Sequence, residues 1–89
     1  MTEAAVERVR AILTEWPDGL LSPSFSNTPS GDIELFWGSY QDRGFVSVDI
    51  GEAAHPVVIC SRGSGGDAVR HTLMDDEELP GIVRKWLEL

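Results

Sequence analysis

The side chains of this sequence with reactive potential are Ser64 in the run Gly63-Ser64-Gly65-Gly66, the two histidines His55 and His71, and the single cysteine Cys60. The glycine run invites a phosphate-binding reading, but it carries no P-loop lysine. It also leads into a predicted strand, where no helix N-terminus is available to hold an anion. It reads as a hairpin connection. Ser64 is not in a G-x-S-x-G elbow, and neither histidine stands in a triad relation to it. His55 falls in a turn before Pro56, and His71 on the core side of a strand, where histidine packs more often than it abstracts protons. Two separated histidines and one cysteine lack metal-ligand spacing, and a lone cysteine excludes an intrachain disulfide. Cys60 is expected as a small half-buried residue on the outer face of its strand. The sequence therefore predicts no catalytic residue, no metal site and no cofactor: it does not read as an enzyme.

The carboxylates are the stronger signal. Fifteen acidic against seven basic residues give a formal charge of −8 over 89 residues. Such a field disfavours direct contact with nucleic acid or an anionic membrane and favours a basic protein surface, while also keeping a protein soluble. The densest run, Asp75-Asp76-Glu77-Glu78, lacks the alternating ligands and central glycine of a calcium loop. Anions at a helix N-terminus are its simplest explanation, and a second acidic contact for a partner is the alternative.

These residues must be positioned by few elements, because 89 residues fit a single domain, 1–89, whose core is small. A helix is expected from about Glu3 to Trp16, with Thr2 as N-cap and Pro17 as its stop. Val6, Val9, Leu13 and Trp16 form its stripe, widened by Ala5 and Ile12, with Arg8, Arg10 and Thr14 largely outside it. From Leu20 to Leu73 the period becomes two. Ser22–Asn27 is a weak edge strand marked by Pro23, Ile33–Gly38 and Phe45–Ile50 are clear strands, and Pro56–Ser61 and Ala68–Leu73 follow. A second helix starts in the acidic run and extends to about Glu88, with Pro80 in its first turn. Leu79, Val83, Trp86 and Leu87 form its buried stripe. The fold class is α+β: an N-terminal helix, a four- to five-stranded antiparallel meander and a C-terminal helix, both helices packed on one face of the sheet. Trp16, Trp37 and Trp86 are expected at core positions. No segment approaches the ~20 apolar residues of a membrane span, and the N-terminus does not read as a signal peptide. With one cysteine, this points to the cytoplasm.

Strand register places the acids. Pairing Ile33 with Ile50, Leu35 with Val48 and Trp37 with Val46 gives one greasy face, which Ile59 beside Val48 and Val57 beside Ile50 would continue, followed by Val69, His71 and Leu73. On the other face Glu34 then opposes Asp49, Asp32 lies about 6.7 Å from Glu34, and Glu52 lies just beyond Asp49. Like charges opposed in a ladder cost several tenths of a kcal/mol. Either these carboxylates are solvated, or relieved by Arg43 or Arg62 from a loop, or they offer a basic groove negative charge spaced like backbone phosphates. Phe36 and Phe45 share that face, as an interface aromatic pair or beneath the loop at Tyr40.

On Asp32, Glu34, Asp49 and Glu52, with Asp75–Glu78, set on a compact helix–sheet–helix build, the chain resembles small acidic phage-encoded anti-CRISPR proteins, some of which mimic nucleic acid. The resemblance implies a non-enzymatic inhibitor that occludes an Arg- and Lys-lined DNA-binding channel. It covers the overall build and no motif. An antitoxin or immunity protein that covers a toxin's active site predicts the same acidity when the toxin is a nuclease. A self-associating module would use Phe36, Phe45 and Val58 as its interface. A monomer or weak homodimer is expected.

Overall fold

The computed structural model describes residues 3–38, 44–62 and 68–87. Thr2, Tyr40, Arg43, the Gly63–Asp67 loop with Ser64, and Glu88 lie outside the described residues. Helix α1 (Glu3–Thr14) is followed by strands β1 (Ser24–Asn27), β2 (Ile33–Gly38), β3 (Phe45–Ile50), β4 (Val57–Ser61) and β5 (Val69–Thr72). A 3-10 turn (Asp76–Glu78) then leads into helix α2 (Leu79–Leu87). The five strands pair antiparallel in chain order, so the sheet is a simple meander with β1 and β5 at its edges. Helix α1 packs on β2 and β3, and α2 on β3, so both helices lie against one face of an α+β fold.

Helix α1 ends at Thr14, and Trp16 follows it, stacked on Trp37 with ring centroids 5.3 Å apart and its Nε1 donating to the Leu21 carbonyl at 3.0 Å. The buried line of α1 is Ala5, Val9 and Ile12, while Val6 and Leu13, expected at its centre, are only half-buried. The helix is thus rotated from the expected orientation, and its Val6–Leu13 edge overhangs the β1 side of the sheet.

The central hairpin has the expected register: Ile33 opposes Ile50, Leu35 Val48 and Trp37 Val46. All six are buried beneath the helices. The next strand corrects the expectation. Val58, and not Ile59, opposes Val48, and Cys60 opposes Val46. A shift of one residue exchanges the two faces of a strand: Val58 and Cys60 are fully buried, whereas Val57 is 44% exposed. Val57-Val58-Ile59-Cys60 is apolar throughout, so its periodicity could not choose a face. The loop that precedes the strand is held in place by Arg8, whose guanidinium donates to the carbonyls of Gly51, Ala53 and Ala54. Cys60 is therefore a core residue whose thiol is pushed up by burial, which suppresses its nucleophilicity.

Strand β5 keeps the expected parity, with Val69 opposite Cys60 and His71 opposite Val58. Both are nevertheless exposed, because the strand lies at the sheet edge; only Leu73, just after it, is buried. Trp37 is buried and Trp16 and Trp86 half-buried, all three within or against the core. Gly38 (φ 103°) sits so close to Gly44 that an added Cβ would overlap the Gly44 carbonyl oxygen, so this end of the hairpin requires glycine.

Candidate functional site

No described helix covers the outer face of the sheet. Following the registered pairs, its side chains run Ser26, Glu34 and Asp49 in one row, and Ser24, Phe36, Ser47, Ile59 and Arg70 in the next. Strand alternation alone puts these residues here, since each is one position from a residue that faces the helix side of the sheet.

Asp32 is delivered by the β1–β2 turn. The Thr28 amide donates to the Asp32 carbonyl at 3.0 Å, and the Thr28 hydroxyl accepts from the Asp32 amide at 3.1 Å. The Asp32 carboxylate occupies the space a side chain at position 51 would fill: a Cβ on Gly51 would lie within bonding range of its Oδ1. Gly51 thus permits the carboxylate to lie close against the end of β3.

Glu34 opposes Asp49 directly. Neutral hydroxyls flank its carboxylate: Ser26 Oγ donates at 3.1 Å from β1 and Ser47 Oγ at 3.3 Å from β3. They fix the carboxylate without neutralising it. The Asp49 carboxyl is raised from its ordinary value, first by partial desolvation and then by the charges of Glu34 and Asp32. The structure therefore brings Asp32, Glu34 and Asp49 together as one electrostatic group. Glu52 is exposed in the following turn and is not among the groups that shift Asp49. Phe36 and Phe45, diagonal neighbours across the hairpin, stack with centroids 5.7 Å apart beside the acids. They fit because Ser47 opposes Phe36 and Gly38 opposes Phe45. Val58, expected with them, is in the core.

The acidic run near α2 is engaged within the chain. Asp75 caps the 3-10 turn by accepting from the Glu77 amide at 2.9 Å, and Glu78 reaches back to the Asp75 and Met74 amides, both at 2.9 Å. Asp76 takes a two-pronged hydrogen bond from Arg8, with Nε–Oδ2 at 2.8 Å and Nη2–Oδ1 at 2.7 Å. Spacing had placed Arg8 outside the buried stripe and gave no sign of this contact, whose partner lies 68 residues away. Arg62 lies over the Trp86 ring, 4.9 Å from its centroid. Among the described residues no three His, Cys, Asp or Glu side chains converge as a metal site, and no helix is long and apolar enough to cross a membrane.

Because the folded state holds the Asp49 proton more tightly than the unfolded chain does, the stabilising effect is complete below the unfolded value. It is lost as pH rises through the raised folded one. Asp49→Asn should therefore be more stable than the parent at pH 7, by several tenths of a kcal/mol. The gain should vanish below about pH 4 and shrink in high salt. Urea unfolding at both pH values checks it, and equal stabilities at pH 7 would remove the repulsion from the account.

Set against protein-family models, characterised proteins and solved structures, the chain gives no match.

Proposed function

We propose that this protein is a non-enzymatic inhibitor whose outer sheet face occupies a basic, nucleic-acid-binding surface of another protein, such as a CRISPR effector or a nuclease toxin. The observation that carries the reading is the Asp32–Glu34–Asp49 group on a sheet face that no described helix covers. There, folding tolerates mutual repulsion that a single substitution would relieve. Charge arranged at a cost to stability is expected where a partner supplies the missing cations. The Phe36–Phe45 stack beside it supplies the flat apolar area that such interfaces bury. The acidic run at α2 contributes less, since Asp75, Asp76 and Glu78 are engaged in capping and in the Arg8 pair, which leaves Glu77.

The test is a pull-down from host lysate at moderate salt, comparing the parent with Glu34→Lys/Asp49→Lys. The parent should retain a basic nucleic-acid-handling protein, and the double variant should lose it while keeping its unfolding midpoint. Affinity should fall steeply as salt is raised. Capture that survives the double change would overturn the outer-face reading. An effector nuclease or a toxin among the captured proteins decides which inhibitor class applies.

A further inference from the structure

The outer face leaves the opposite side of the sheet unexplained where it runs out from under α1. There an apolar groove of about 600 Å³ opens between α1 and β1, lined by Val6, Val9 and Leu13 of the helix and by Phe25 and Ile33 of the sheet. Its volume falls within the range of specific binding clefts. Phe25 opposes Leu35 and so belongs to the inner face, yet it is 54% exposed. The Val6–Leu13 edge of α1 overhangs the same space. Apolar surface from two elements thus meets in a cleft that neither fills.

The wall of this groove is an edge strand. In an antiparallel pair, alternate residues turn their N–H and C=O groups away from the partner, and no other strand among the described residues flanks β1. Edges of this kind are commonly guarded by charge. The other edge, β5, carries Arg70 and His71, but β1 reads Ser-Phe-Ser-Asn. At the rim stands Arg10, which lines the groove and makes no ion pair among the described residues of a chain with a net charge of −8.

We infer that this groove binds an extended peptide segment of a partner protein, which adds to β1 as a sixth strand, seats an apolar side chain on Phe25 against α1, and presents a carboxylate to Arg10. An added strand satisfies the outward backbone groups of β1 and directs every second side chain, about 6.7 Å apart, into the groove. A buried apolar ligand without a backbone would fill the cleft and leave those groups unused. A second copy of this chain pairing β1 with β1 would bring another Arg10 to the rim, where the charge calls for a carboxylate. The carboxylate comes from an acidic side chain or from the peptide's C-terminus.

Random octapeptides displayed with a free C-terminus, selected on the full-length protein, test the inference. Enriched peptides should alternate apolar residues and carry an acid or depend on the free terminus. Their affinity should fall at least about tenfold on Phe25→Lys, on Arg10→Glu, and on N-methylation of the strand-pairing peptide amides. It should be unchanged by Glu34→Lys/Asp49→Lys, which separates this site from the outer face. Failure to enrich any peptide over the Phe25→Lys protein would overturn the inference, as would binding indifferent to N-methylation. A parent dimer by sedimentation that Phe25→Lys converts to monomer would overturn it as well, by making a second copy the occupant.

Discussion

Val58→Lys should lower stability by at least about 4 kcal/mol, while Val57→Lys, one residue earlier, should leave stability within about 0.5 kcal/mol of the parent. Val58 is fully buried opposite Val48 in the apolar core, so an ammonium there loses its water. Burying an unpaired charge costs at least about 4 kcal/mol even after the group neutralises or the strand shifts. That equals the lower end of the stability expected of a domain this size, about 4–13 kcal/mol. Val57 is 44% exposed on the outer face, where a lysine stem lies along the sheet and its head stays in water. Urea unfolding followed by tryptophan fluorescence reads both variants. The reverse order of sensitivity would mean that β4 presents Val57 and Ile59 inward and that the register found here is wrong.

Arg8→Ala should lower stability by about 2–3 kcal/mol and the unfolding midpoint by roughly 10–20 °C. One guanidinium joins α1, the β3–β4 loop and the turn that starts α2. It grips Asp76 side-on and donates to the carbonyls of Gly51, Ala53 and Ala54. The pairing with Asp76 raises the Arg8 pKa further, so the group stays charged throughout the folded range. Its side chain is only 21% exposed, so water replaces the part-buried bonds to Asp76 and the Gly51 carbonyl poorly. Arg8→Lys should recover less than half of the loss, because an ammonium cannot make the fork and reach three carbonyls together. Asp76→Asn should cost about 1 kcal/mol, since the carbonyl contacts remain. Equal losses for Arg8→Ala and Asp76→Asn would reduce the clamp to a simple ion pair.

The sequence alone determined the helices and the central hairpin. Val9 and Ile12 recur at helical spacing ahead of Pro17, and Ile33, Leu35 and Trp37 alternate with Glu34 and Phe36, so that only one register buries the first set. That same alternation was enough to place Glu34 against Asp49 and to put Phe36 and Phe45 on one face. The tertiary structure decided the rest, because those outcomes depend on contacts distant in the chain. β4 is apolar at four successive positions, and its inward face is set by the register in which it pairs with β3. The place of the acids at 75–78 at a helix start was legible in the sequence, but the pairing of Asp76 with Arg8 was not. The rotation of α1 turned Val6 and Leu13 from expected core residues into one wall of a groove. Periodicity records which residues can be buried together on one element. Only packing between elements decides which of them are, and which surfaces remain open to a partner.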